Sequence, residues 1–156
     1  MRMSLKTFAG AIGMLALVAQ LNAGGFWLTA GNPEASAEAR AMKAVLTAKA
    51  MGCHNPEQAE FTGTAIGIVN GERRTVPLKL ASLPDATMIA VTRQWPADGR
   101  WVIQLTGKYN GAVATLLVPA GPEGVDRYAA KQIRGEPKPE MIAALLQSGT
   151  AAVARK

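Results

Sequence analysis

From residue 60 onwards apolar and polar positions alternate with a period of two, the spacing that sets one face of an extended strand against a core. Residues 61–69, 73–80, 87–95, 100–106 and 112–119 read as five short strands. The fourth alternates most cleanly, with Trp101, Ile103 and Leu105 on one face, and the third places Ile89 and Val91 together. Between the strands stand Asn70-Gly71, Leu83-Pro84-Asp85-Ala86, Trp95-Pro96-Ala97-Asp98-Gly99 and Tyr109-Asn110-Gly111. Asn-Gly and Asp-Gly accept positive φ at little cost and so favour tight hairpins. Short strands joined by such turns predict a mainly β fold, an antiparallel β-sandwich over residues 60–130.

The first hairpin admits two registers. A two-residue turn at Asn70-Gly71 sets Ile66 beside Thr75 and Ile68 beside Arg73, which separates Ile66 and Ile68 from Val76, Leu78 and Leu80. A three-residue loop, Val69-Asn70-Gly71 with Gly71 left-handed in a bulge, puts Thr64, Ile66, Ile68, Val76, Leu78 and Leu80 on one face. A slip of one residue moves every side chain to the other face, so burial of a single face selects the bulged register.

Helical signals flank the strands. Asn32-Pro33-Glu34 combines a favoured N-cap, a proline shaped for the first turn and an acid at the positive end of the dipole. With Met42, Val45, Leu46 and Lys49 at helical spacing and Gly52 to close it, this predicts an N-terminal helix over 32–52. Residues 125–134 read either as a last edge strand or as a short helix around Tyr128. A C-terminal amphipathic helix is predicted over 139–149, opened by Pro139 and Glu140 and ended by Gly149. Met141, Ile142, Leu145 and Leu146 form its apolar face, set to pack on the sandwich or to dock a partner.

The start of the chain has a different pattern. Arg2 and Lys6 precede an almost wholly apolar run over residues 8–21, followed by small residues at Asn22-Ala23-Gly24-Gly25. These are the parts of an export signal, with residues 1–23 as the signal peptide and Ala23 as its end. The expected location is therefore periplasmic or secreted. The alternative is an uncleaved membrane anchor, because residues 8–30 carry no charge and are long enough to cross a bilayer core of roughly 30 Å. Removal of residues 1–23 takes away Arg2 and Lys6, leaving 15 basic against 11 acidic residues, a net charge near +4. That excess suits anionic surfaces such as lipid headgroups or cell-wall polymers. Basic residues do not cluster with aromatics, so no nucleic-acid partner is expected. A single cysteine, Cys53, excludes an intrachain disulfide.

The stretch Thr64-Ala65-Ile66-Gly67-Ile68-Val69-Asn70-Gly71, followed by Gln94-Trp95-Pro96-Ala97-Asp98-Gly99-Arg100-Trp101-Val102-Ile103, resembles small secreted immunoglobulin-like or transthyretin-like β-sandwich modules. In those a Pro-x-x-Gly-x-Trp-like pattern opens a core strand. The resemblance spans about residues 60–119. It implies a sandwich fold and an accessory or binding role outside the cytoplasm, and brings no catalytic residues. Copper-handling proteins of this architecture use several His and Met ligands, whereas this chain has one His.

Candidate chemistry is sparse. Cys53-His54 pairs a thiol with an imidazole that could activate it, or could join Met42 and Met51 as soft metal ligands, giving a redox or copper-handling reading. Against it stand a buried structural thiol and methionines that fill a core. Glu57, Glu60, Asp85 and Asp98 fall in turns or at strand starts, without the placed pair a hydrolase needs, and no Gly-x-Ser-x-Gly is present. No enzyme and no cofactor is expected. Arg73, Arg74, Arg93 and Arg100 flank two turns and would form a basic rim for an anionic ligand if both turns lie at one end of the sandwich. The expectation is a non-catalytic binding or accessory module of the cell envelope, whose partner is an envelope protein or anionic polymer. A membrane partner follows only if the N-terminal segment stays uncleaved.

Overall fold

The computed structural model describes residues 25–52 and 55–153. Ten strands form two antiparallel sheets. β1 (Trp27–Gly31), β2 (Ala44–Met51), β6 (Met88–Thr92) and β5 (Leu80–Ser82) lie side by side in that order in the smaller sheet. The larger sheet runs β10 (Lys131–Arg134), β8 (Ala112–Gly121), β7 (Arg100–Tyr109), β3 (Glu60–Val69) and β4 (Glu72–Leu78), and the two-residue β9 (Gly124–Val125) pairs with β8. Inward residues of both sheets share one core: Leu28, Leu46, Ala48 and Val91 from the smaller, and Ala65, Trp101, Ile103, Leu105, Leu116 and Val118 from the larger. The protein is thus mainly β, and the alternation of Trp101, Ile103 and Leu105 marks a true core face.

The predicted helix over 32–52 is not formed. Asn32 does cap a first turn, accepting the Glu34 N–H, but that turn is a 3₁₀ helix over Pro33–Ala35. A five-residue α1 (Ala37–Ala41) follows, and Lys43 takes a left-handed φ of 57° that ends it. The remainder becomes β2. Alanine favours helices in isolation, but here Leu46, Ala48 and Ala50 alternate into the core with no exposure, and tertiary burial outweighs that preference. Among the described residues the β body therefore begins at Trp27, well before residue 60. Trp27 to Ala30, the end of the uncharged N-terminal run, belong to β1, so a membrane-spanning reading of that run would stop short of Trp27. The segment proposed as the signal peptide lies outside the described residues. Among these no helix is long and apolar enough to cross a membrane.

The first hairpin also departs from its expected register. Val69 pairs with Glu72 and Ile66 with Thr75, so the turn has two residues, Asn70 at φ 51° and Gly71 at φ 81°. Both central residues are left-handed, as a type I′ turn requires. The bulged register presumed one buried face, yet this sheet is covered on both. Ala65 and Val69 enter the core between the sheets, while Ile66 and Ile68 enter a second cluster on the outer face. That cluster is closed by α2 (Pro139–Val153), whose Ile142 and Leu146 are buried against Ile66, Val102 and Leu117. The C-terminal helix thus forms as expected and docks on the chain's own sheet. It runs through Gly149, and Met141 stays partly exposed at the margin of its face. On the opposite side of the molecule, α1 covers the outer face of the smaller sheet, where Ala39, Leu83 and Ala90 form a third cluster.

The segment 125–134 contains both readings allowed for it, a 3₁₀ turn over Arg127–Ala129 and then the edge strand β10. The two sides of the body differ. On one side Lys79 alone separates β4 from β5, so the chain passes from one sheet to the other within a single residue. The Gln94 side chain holds that crossing, accepting the Lys79 N–H and donating to its carbonyl, each at 2.8 Å. On the other side β1 and β10 lie close together without pairing, and among the described residues the edge they leave is open.

Candidate functional site

Strand register decides what the open side displays. Gln132 lies opposite Leu116 and Arg134 opposite Ala114, both core-facing positions of β8, so the Gln132 and Arg134 side chains lean towards the smaller sheet. There they meet the residues that open β1. Phe26, Trp27, Gln132, Ile133 and Arg134 line an open groove of about 350 Å³. Phe26 is anchored inward by its ring contact with Tyr109, 6.0 Å between centroids, while Trp27 is 39% exposed. The Arg134 guanidinium lies close to Gly25, with Nη2 3.5 Å from where a Cβ there would stand. Among the described residues Arg134 has no hydrogen bond or ion pair, and the groove is lined by no acid.

The same side continues past the other end of β1. Arg127 Nη1 donates to Asn32 Oδ1 at 2.9 Å and its guanidinium stands 5.2 Å from the centroid of the Tyr128 ring. Tyr128 is 89% exposed, the most open large hydrophobic side chain described. Asp126, the nearest acid in sequence, is occupied in accepting the N–H groups of Tyr128 and Ala129. Two exposed aromatic rings, Trp27 and Tyr128, therefore flank a strip that carries Arg134 and Arg127. A strip of this composition suits an extended partner bearing negative charge: rings supply contact area at low entropic cost, and guanidinium pairs with carboxylate or phosphate in a fixed fork geometry.

The arginines singled out in the sequence do not converge. Arg73 and Arg100 both stand opposite Ile68, on one rung of the larger sheet, roughly 10 Å apart at two strand spacings. Arg74 is paired with Gly67, one rung on, and so faces the other side, where Nη2 lies 3.8 Å from Glu72. The bulged register sets Arg74 on the face of Ile66 and Ile68 and Arg73 on the other, and the two-residue turn reverses both. Arg93 donates to the Pro96 carbonyl at 3.3 Å and serves its own loop. The four-residue rim is thereby reduced to Arg73 and Arg100. Cys53 and His54 lie outside the described residues. Of the methionines considered with them, Met42 caps α1 and Met51 ends β2. Among the described residues no three His, Cys, Asp or Glu side chains are grouped to hold a metal ion.

Of the four acids weighed for hydrolysis, Glu60 pairs across the sheet with Lys108, and the Asp98 carbonyl accepts the Trp101 indole N–H at 2.8 Å. Asp85 has a structural task. The Thr87 hydroxyl and N–H both donate to its carboxylate, and Lys49 Nζ approaches at 3.1 Å. The Thr87 hydrogen bonds first, then Lys49, hold its pKa at about 2, below the usual 3.8. A depressed carboxylate stabilises the fold above its unfolded pKa, and that contribution is lost as pH falls through the folded value. Asp85→Asn is therefore expected to lower the urea midpoint at pH 7. The gap from wild type should narrow between pH 4 and pH 2 and vanish below it.

The groove was hidden from sequence reasoning because its walls are more than a hundred residues apart and only the topology joins them. Trp27 sat at the end of an apolar run and Tyr128 in a segment with two readings. The fold and its surface define a mainly β protein of two antiparallel sheets with an aromatic and cationic groove on its open side. Comparison with protein-family models, with curated proteins and with solved structures returns no match for this chain.

Proposed function

We propose that the chain is an exported, non-catalytic binding module of the cell envelope, a β-sandwich of the immunoglobulin-like or transthyretin-like kind. It holds an anionic envelope partner along the open side between β1 and β10. The observation that carries this reading is Arg134, a guanidinium without a counter-ion among the described residues, beside the exposed ring of Trp27. A surface that served only solubility would have no need to set a large exposed ring near a guanidinium that has no counter-ion among the described residues. The net positive charge and the export signal agree with a partner outside the cytoplasm.

The test is retention of the purified protein on isolated envelope fractions. Trp27→Ala/Arg134→Ala is expected to weaken binding by about tenfold or more, the cost of truncating central anchors. Arg73→Ala/Arg74→Ala should bind nearly as wild type, and raising salt should weaken wild-type binding through screening. Binding that depends on Arg73 and Arg74 instead would move the site to the sheet end. No retention on any envelope fraction would contradict the proposal.

A further inference from the structure

The open side presents backbone as well as side chains. The Gly135 N–H donates to the Val113 carbonyl at 2.8 Å, and Gly135 continues the register in which Arg134 faces Ala114. In an antiparallel ladder hydrogen-bonded pairs alternate with non-bonded ones. Ile133 and Lys131 therefore bond to Thr115 and Leu117, whereas Gln132 and Arg134 turn their N–H and C=O groups away from β8, to the outer edge of the sheet. Both residues are exposed. β10 is thus an edge whose outward groups have no partner strand among the described residues, and Phe26 and Trp27 stand beside it.

We infer that β10 receives an added strand, an extended peptide that carries a carboxylate. The inference rests on the binding reading above and names its partner. The peptide exchanges main-chain hydrogen bonds with Gln132 and Arg134, and an acidic side chain pairs with the Arg134 guanidinium. Charged residues on an edge strand often serve to discourage such pairing. Here Lys131 points to the outer face, on the rung of Leu117, while Arg134 stands over the groove beside Trp27. That cation repels basic strands and draws acidic ones, so it selects a strand rather than refusing all. Four residues of β10 match about 13 Å of extended chain, so a hexapeptide is a sufficient probe.

The probe is an N-acetylated hexapeptide of alternating valine and glutamate, added to the ¹⁵N-labelled protein. It is expected to give saturable shifts at β10 and to slow amide hydrogen exchange at Gln132 and Arg134 at least tenfold. The counterpart with lysine in place of glutamate should bind at least tenfold more weakly. A version N-methylated at every residue should not bind, because neither of its edges can then donate to the ladder. Gln132→Pro removes one outward N–H and leaves the bonds to β8, a position where an edge strand tolerates proline; it should lose the peptide while keeping the thermal transition. If that variant unfolds, the N-methylated peptide decides. No saturable shift at β10, or binding undiminished by N-methylation, would overturn the inference. Failure of the peptide alongside envelope binding that still depends on Arg134 would overturn it and leave the binding-module reading intact. Loss of both would remove the two together.

Discussion

Truncation after Lys138 is expected to destabilise the protein by about 5 kcal/mol, enough to leave little or no folded chain at 37 °C. The figure follows from burial. Ile142 and Leu146 are 6% and 3% exposed, and each fully buried side chain of this size contributes ~1.5–3 kcal/mol. Their removal also uncovers Ile66, Val102 and Leu117, over which no other described element packs. Domains of this length are stable by only about 5–15 kcal/mol, so the loss takes a large share of the whole. Single substitutions should divide along the same line. Leu146→Ala should cost about 2–4 kcal/mol, and Met141→Ala, at the exposed margin, about 0.5 kcal/mol or less. Urea unfolding checks all three. A truncated chain that unfolds like wild type would show α2 to be a separable docking arm instead of a covering layer.

Gly67→Ala is expected to cost about 3 kcal/mol, a large effect for one added methyl. Gly67 stands directly across the strand from Trp101, and a Cβ there would run into the indole ring. The ring cannot withdraw easily, because its N–H is held by the Asp98 carbonyl at 2.8 Å and Trp101 is buried in the core. Nor is Gly99, which sets up that turn, replaceable: its φ is +84°, and a Cβ would stand 2.6 Å from the Ile68 carbonyl oxygen. Gly111→Ala supplies the control. That glycine has φ +77° with nothing within 4 Å, so only left-handed strain of about 1–2 kcal/mol should appear. Combining Gly67→Ala with Trp101→Leu should cost clearly less than the two changes measured separately, since residues in contact do not add. Simple additivity would show that the glycine is needed for some reason other than the ring.

These two expectations mark what the sequence could and could not disclose. The Trp101 strand and its turn were legible because alternation and glycine-containing turns are local. So was α2, whose apolar face needs only helical spacing to be seen. What α2 covers was not legible, and that omission produced the wrong hairpin register. Parity decides between registers only when one face is buried, and Ile66 and Ile68 are buried on the face opposite Ala65 and Val69. Likewise residues 44–51 carried both a helical spacing, in Val45, Leu46 and Lys49, and a strand spacing, in Leu46, Ala48 and Ala50. Alanine offers too little hydrophobic contrast to choose between them, and pairing with β1 and β6 made the choice. The site shows the same limit. Arg73 and Arg74 point to opposite faces of one sheet, while Trp27 and Arg134 were brought together only by the packing of one sheet on the other.

The central claim is that the protein binds through the open side between β1 and β10. Its most direct test is a chemical-shift map of the ¹⁵N-labelled protein during titration with solubilised anionic envelope polymer at low salt. The expected result is saturable shifts concentrated at the Trp27 indole, Gln132, Arg134 and Tyr128, with Arg73 and Arg100 unmoved. Shifts centred on Arg73 and Arg100, or weak shifts spread over every basic residue without saturation, would contradict it.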